Sequence, residues 1–302
     1  MNMPTFIVLG AQRSGTTALH IALARHPEIY MPKQKEPWYF SYADRPANLG
    51  GPYGYFYNQR IVTQGDAYAQ LFAPAQAGQI CGEASTAYLM AACAETTAAN
   101  LQQRLPEVKL VVLLRRPAVR AYSGYRLLRG LSREPLTDFR QAIEAEAARM
   151  AAGWPPDYAY WQNSQYARLL APYYARFDPA QMRVYLYEEW AAQPHQLLAD
   201  LFAFLGVTPT VDPAMLAQAS EARAVLRLPF SLEWQEAIKP WLPHGLRKAL
   251  RRWTHREQPP LAPDLAEELT AQADEEITAL ETLIGRDLSH WRVTAASSPA
   301  AV

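Results

Sequence analysis

Short apolar runs rich in β-branched residues recur along the chain near residues 5–9, 29–31, 79–82, 109–114 and 182–187. Between them apolar residues return at helical spacing. Lys109-Leu110-Val111-Val112-Leu113-Leu114 is apolar throughout after its first residue, as a central parallel strand buried on both faces should be. Strands alternating with helices predict a parallel sheet covered by helices on both faces, an α/β fold. The same periodicity predicts helices from Thr17 to Arg25, from Asp66 to Phe72, from Asn163 to Phe177, and from Thr137, as its cap, to Gly153. Two more run from Pro194 to Leu205, stopped by Gly206, and from Asp264 to Ile284, stopped by Gly285. Tyr166, Leu169, Leu170 and Tyr173 fall at helical spacing and read as core.

The sharpest local pattern is Phe6 to Leu19: an apolar run, a polar loop bracketed by Gly10 and Gly15, then Ala18 and Leu19 opening a helix. A strand, loop and helix in that order aim backbone N–H groups and a helix N-terminus at one anion. The spacing is nearly that of a nucleoside-triphosphate loop, G-x-x-x-x-G-K-[ST], but Thr16 stands in the lysine's place. That lysine bridges β- and γ-phosphates, so its replacement argues against a triphosphate and its metal. The cation of the loop is instead Arg13, whose planar fork suits a compact anion. An ordinary strand-to-helix turn has the same outline, and the loop alone leaves both readings open.

Two further stretches carry candidate chemistry. The run 109–114 ends in Arg115-Arg116-Pro117 rather than in an acid that would hold magnesium, and the proline opens a helix that carries Ser123. Arg115 with Ser123 predicts a second anion site beside the first, at the carboxyl end of the sheet; a buried arginine paired with a core acid is the alternative. Lys33-Gln34-Lys35-Glu36-Pro37-Trp38-Tyr39-Phe40 sets a carboxylate between lysines and aromatics, which reads either as a general base or as a solvated charge run.

Composition narrows the function classes. The chain has 302 residues, half of them hydrophobic, enough for one large domain. It is expected to span 1–292, the part over about 206–292 forming a helical annex, and to end in a disordered tail over 293–302. Twenty-nine basic residues balance 29 acidic ones, so nothing global draws the chain to nucleic acid or a membrane, and any anion site is local. Two cysteines, Cys81 and Cys93, give neither a disulfide framework nor a metal cluster and predict buried thiols in a reducing, cytoplasmic setting. The N-terminus lacks the basic and apolar regions of a signal peptide, and no window reaches the about 18 apolar residues of a membrane span. The Gly-, Pro- and Tyr-rich segment 41–65 reads as a lid or binding loop, its Tyr53 to Tyr57 aromatics stacking on an acceptor or packing on the body. Residues 246–256 form a basic amphipathic stretch, either a solvated face or a dock for an anionic acceptor.

Arg13-Ser14-Gly15-Thr16-Thr17 resembles the 5′-phosphosulfate loop of sulfotransferases that use 3′-phosphoadenosine 5′-phosphosulfate (PAPS), and it is more similar to the Golgi-type carbohydrate and heparan sulfate enzymes and their bacterial relatives than to the phenol and steroid enzymes. Lys35 to Phe40 is similar to that family's Lys/Asn-Glu-x-His-x-Phe element, and Glu83-Ala84-Ser85-Thr86-Ala87-Tyr88 to its Glu-Lys-Ser/Thr-Pro-x-Tyr turn. Arg115-Arg116-Pro117 with Arg120 to Ser123 resembles its 3′-phosphate motif, and Val184 to Glu189 a further family segment. The resemblance covers about residues 4 to 205, and Gly285 to Trp291 resembles the end of bacterial members.

The resemblance implies a P-loop-like fold and metal-free, in-line transfer of a sulfuryl group from PAPS to a hydroxyl, less readily an amine, of a carbohydrate or small metabolite. It implies that Glu36 is the general base, with His20 and His26 the nearest alternatives in sequence. Gln12, Arg13, Ser14, Gly15, Thr16 and Thr17 would hold the 5′-phosphosulfate, with Arg13 also catalytic, and Arg115 and Ser123 the 3′-phosphate. This chain departs from the pattern at Trp38, where many members have histidine, at Ala84, where they have lysine, and at Thr86, where they have proline. The cation that Ala84 removes falls to Lys33 or Lys35, of which Lys35 adjoins the base. Ser220 to Arg223 is the local candidate for a loop closing over the nucleotide. A metal-dependent nucleotide kinase and a non-catalytic nucleotide- or glycan-binding module are the rival functions.

Overall fold

The computed structural model describes residues 3–212, 215–216 and 260–292. Five strands, β1 (Phe6–Gly10), β2 (Ile29–Tyr30), β3 (Ile80–Ala84), β4 (Lys109–Leu114) and β5 (Met182–Leu186), pair in parallel in the order β2-β3-β1-β4-β5. All five expected strands are present, and the fold is α/β as expected.

Alternation along β1 and β4 splits the core into two layers. Ile7, Leu9, Leu110, Val112 and Leu114 face helices Ala94–Arg104, Tyr166–Tyr174 and Asp274–Ile284, whereas Phe6, Val8, Val111 and Leu113 face helices Thr16–Leu23 and Pro194–Leu205. Both faces of the central strands are therefore dry, which is why they read as unbroken apolar runs. Phe6 lies opposite Gly82 on β3, and a Cβ on Gly82 would meet the Phe6 ring at 2.0 Å, so this position admits no side chain.

Tyr166, Leu169, Leu170 and Tyr173 are all buried in the first layer. Gly206 and Gly285 end their helices in the left-handed conformation, φ 84° and 65°. Cys81 and Cys93 are buried free thiols.

Three helix expectations are corrected. The helix expected from Thr137 is two helices, Phe139–Glu144 and Glu146–Ala151, and its cap is Asp138, whose carboxylate accepts the Gln141 N–H at 2.9 Å. Glu146 is turned inward to accept the Trp161 and Gln162 N–H groups. The helix expected from Asn163 begins at Tyr166, because the Asn163 side chain is committed to the Ala91 N–H (2.8 Å) and the Pro156 carbonyl (2.7 Å). The last helix is two, Pro263–Gln272 and Asp274–Ile284, with the buried Ala273 between them. No described helix is long and apolar enough to cross a membrane. The candidate nucleotide-closing loop at 220–223, the basic stretch 246–256 and the tail 293–302 lie outside the described residues.

Candidate active site

The segments after β1, β2, β3 and β4 meet at the carboxyl edge of the sheet, where open α/β sheets bind ligands. β1 ends at Gly10 (φ 147°), where a Cβ would come within 2.9 Å of the Leu89 Cβ. The loop is tied back by Ala11 N–H to the Leu113 carbonyl (2.6 Å) and Ser14 N–H to the Ala11 carbonyl (3.2 Å). Arg13 (φ 69°) and Gly15 (φ 94°) are both left-handed, and the helix Thr16–Leu23 starts without a side-chain cap. Its first-turn N–H groups therefore have no intrahelical or capping acceptor. Ser14 Oγ is fully buried in the same loop with no hydrogen-bond partner among the described residues. An uncapped helix start beside an orphaned hydroxyl is the donor set a phosphate-like anion requires.

The two expected anion elements are in direct contact. Arg13 Nε donates to Ser123 Oγ at 3.0 Å, and Arg115 Nη1 donates to the Arg13 carbonyl at 3.2 Å. Arg115 also lies over the Tyr187 ring, 4.4 Å from its centroid. Residues more than a hundred positions apart thus form one cationic cluster, with Arg13 shared between its halves.

Glu36 and Trp38 are both left-handed, φ 61° and 57°. A non-glycine residue held there costs on the order of 1–3 kcal/mol and is retained where surrounding structure over-determines it, often at active sites. Glu36 pairs with Lys35 at Oε1. Its Oε2 accepts the Trp38 indole N–H at 3.0 Å and the Thr86 N–H at 2.6 Å, while the Thr86 hydroxyl lies 3.2 Å from both oxygens. Two departures from the family pattern therefore act on the carboxylate itself. Trp38 supplies a ring N–H, and Thr86 supplies a backbone N–H that proline could not.

Behind Glu36 a buried network fixes this geometry. Ser85 Oγ accepts the Trp38 N–H at 3.2 Å and donates to Glu83 at 2.5 Å, and the Tyr68 and Tyr88 hydroxyls each donate to Glu83 at 2.8 Å. Burial pushes Glu83 up to about 7, against the pull of these three donors and with the Glu36 charge adding to the rise.

The structure also separates the residues left as alternatives. Lys33 lines a different cleft, beside Tyr30 and Leu71, so Lys35 is the lysine at Glu36. Burial, and then the Lys35 charge, lower His20 to about 4 against the pull of Glu36, which leaves a neutral imidazole. His26 lies before β2, its ring 2.9 Å from the Thr208 carbonyl and packed on Phe202.

Gln12, Arg13, Thr16, Thr17, Lys35 and Glu36 line one cavity of about 490 Å³. Its far wall comes from the 41–65 segment and the 154–161 loop: Trp38 stacks on Tyr57 at 5.3 Å, Phe56 and Arg60 stand beside them, and Asp157 closes the end. Arg133, itself buried, lies under Tyr53, Phe56 and Tyr57 at 5.2, 4.7 and 5.6 Å and pins that segment to the body. The aromatics divide accordingly, with Phe56 and Tyr57 facing the cavity and Tyr55 71% exposed.

Sequence reasoning missed Asp157. Its Oδ1 accepts from the Gln12 side-chain amide, and burial raises it to about 6, with Glu36 adding and Tyr57 and Arg133 opposing. The available signal was a lone acid inside the apolar run Trp154-Pro155-Pro156-Asp157-Tyr158.

A family model described as "Sulfotransferase family" matches residues 4–212. The membrane-associated sulfotransferase kil1 of Dictyostelium discoideum is 32% identical over 123 residues, which cover 41% of this chain and 22% of that protein. The bifunctional heparan sulfate N-deacetylase/N-sulfotransferase 4 of Mus musculus is 26% identical over 220 residues, 69% of this chain and 23% of that one. The chain thus spans less than a quarter of the length of these curated relatives. The crystal structure of a sulfotransferase from Alicyclobacillus acidocaldarius matches at a TM-score of 0.76 and 32% identity, over 97% of this chain and all of the other.

Proposed function

Because the chain belongs to the sulfotransferase family, we propose that it transfers a sulfuryl group from PAPS to a hydroxyl of a carbohydrate or small metabolite, with Glu36 as general base. The observation that carries this reading is the contact of Arg13 with both Ser123 and Arg115 at the rim of the cavity that Glu36 lines. The orphaned Ser14 hydroxyl and the uncapped helix start fit a phosphosulfate. PAPS supplies the activated sulfuryl group and a bisphosphate leaving group.

The chain's own residues then divide the work. Arg115 and Ser123 hold the 3′-phosphate and fix the donor's register. Arg13, Gln12, Thr16, Thr17 and the amides from Ser14 onward stabilise charge developing on the leaving phosphate, as preorganised donors do. Glu36 Oε2 is held by two fixed N–H donors, so the acceptor's proton is taken at Oε1, where the partner is Lys35 on its flexible four-carbon stem. Displaced from Oε1 as the acceptor enters, Lys35 is the cation within reach of the transferring group. An amine stays among the acceptors, since relatives carry N-sulfotransferase in their names. A reducing, cytoplasmic setting fits the two buried free thiols.

The family match removes the kinase reading's support. The non-catalytic module differs from the proposal only in turnover. Calorimetry with adenosine 3′,5′-bisphosphate, with and without magnesium, followed by assay of its release from PAPS across hydroxyl and amine acceptors, tests both. Tighter binding of magnesium-ATP than of the bisphosphate refutes the proposal, and binding without release under any acceptor supports the module.

A further inference from the structure

We propose that Asp157 is a specificity-determining residue of the acceptor cavity, accepting a hydrogen bond from a second hydroxyl or ammonium of the acceptor while the reacting hydroxyl faces Glu36; this rests on the sulfuryl-transfer reading above.

Asp157 sits in the turn Pro156–Tyr158 and is only 7% exposed, yet it lines the same cavity as Glu36. Its two oxygens are in different situations. Oδ1 is taken by the Gln12 amide, whereas Oδ2 is buried with no hydrogen-bond partner among the described residues. The Tyr57 hydroxyl is near enough to favour the carboxylate's charge, but it makes no hydrogen bond of ordinary geometry to Oδ2 and itself accepts from Arg133 at 3.1 Å. A buried carboxylate oxygen without a donor is costly, and in native proteins such an atom marks a place for a bound water, an ion or a ligand group that donates to it.

The turn cannot relieve this by swinging into solvent. Tyr158 donates to the Arg133 carbonyl at 3.0 Å, Asn163 holds the Pro156 carbonyl at 2.7 Å, and Trp154 packs edge-on against Tyr158 at 5.0 Å. The cavity therefore presents two carboxylates, Glu36 and Asp157, close enough for the Glu36 charge to be felt at Asp157, with the Trp38 and Tyr57 rings between its walls. An acceptor with one hydroxyl satisfies one carboxylate. An acceptor with two neighbouring donors satisfies both, which makes the second donor a criterion of selection.

A structural role, in which Asp157 only orients Gln12, is separable. Asp157→Asn keeps an oxygen for the Gln12 amide but turns the free atom from acceptor to donor; Asp157→Ala removes the acceptor without adding a donor. Cyclohexanol and cis-1,2-cyclohexanediol, matched in ring and differing in the second hydroxyl, are titrated into the full chain saturated with adenosine 3′,5′-bisphosphate, with binding read from ligand NMR signals.

The wild type should bind the diol about tenfold or more tightly than the mono-ol, as a hydrogen bond to a charged group provides. Both variants should bring the two within about twofold, the statistical advantage of a second hydroxyl, and Asp157→Asn, which keeps the oxygen for Gln12, should do so with bisphosphate affinity unchanged. No preference in the wild type, a preference that survives in Asp157→Asn, or a loss of bisphosphate affinity in step with the preference overturns the proposal. Failure of the bisphosphate to bind the wild type is a separate result, which overturns the sulfuryl-transfer reading and this proposal with it.

Discussion

Replacing Glu36 by glutamine keeps the side chain's size but removes the proton acceptor. The amide oxygen takes the Oε2 position, because the Trp38 indole and Thr86 backbone N–H groups are both fixed there. Its NH₂ then faces the Lys35 ammonium, donor against donor, with the Thr86 hydroxyl, 3.2 Å from that position, as an acceptor in reach. An unsatisfied buried donor costs about 1–3 kcal/mol, but Lys35 is 19% exposed on a flexible stem and can turn to water. The loss of stability should therefore lie near the lower end, about 1 kcal/mol, or about 2–4 °C in Tm. Loss of general base catalysis is expected to slow transfer about 10²–10⁴-fold, equivalent to about 2.7–5.4 kcal/mol of barrier. The chemical effect thus exceeds the structural one. Thermal melts, calorimetry with adenosine 3′,5′-bisphosphate and single-turnover transfer from PAPS to an acceptor found by screening separate the two. Normal nucleotide binding with near wild-type transfer would refute the assignment and leave Glu36 as a partner of Lys35.

Arg115→Ala should weaken adenosine 3′,5′-bisphosphate by about 1.5–3 kcal/mol while leaving adenosine 5′-phosphate almost unchanged, a contrast calorimetry reads directly. Glu134 and Arg149 form a buried bidentate pair at 2.7 and 2.9 Å, with the Tyr160 hydroxyl 2.7 Å from the same carboxylate, so Glu134→Ala should cost about 3–5 kcal/mol in urea unfolding by leaving an unpaired buried charge. Glu83 is raised from its ordinary 4.5 to about 7, chiefly by burial, so its folded form holds a proton more tightly than the unfolded chain. That stabilisation is complete below about pH 4.5 and is lost as pH rises through about 7. Between about pH 5 and about pH 8 the wild type should therefore lose more unfolding free energy than Glu83→Gln, and equal losses would remove Glu83 as the source.

The order of elements was legible because its causes are local. Unbroken apolar runs at β1 and β4, glycines at Gly206 and Gly285 that alone stop helices cheaply in a left-handed turn, and the Gly10 to Gly15 loop are each written in a few neighbouring residues. That loop, the Arg115 and Ser123 element and Glu36 could be singled out as candidates for the same reason. The errors fell where a side chain committed itself to a distant partner: Asn163 reaching Ala91 delayed a helix, and Glu146 turning to the Trp161 and Gln162 N–H groups accompanied the interruption of another.

The sequence by itself determined the fold class and the residue types available to the site. Only the tertiary structure decided which of them meet. Arg13 bonding Ser123, Lys35 rather than Lys33 pairing with Glu36, Trp38 and Thr86 turning departures from a motif into donors on the Glu36 carboxylate, and Asp157 entering the cavity beside Gln12 are contacts between elements on separate strands and loops. Local spacing carries no record of such distances, because they are set by how helices on either face of the sheet pack and where its carboxyl edge brings the loops together.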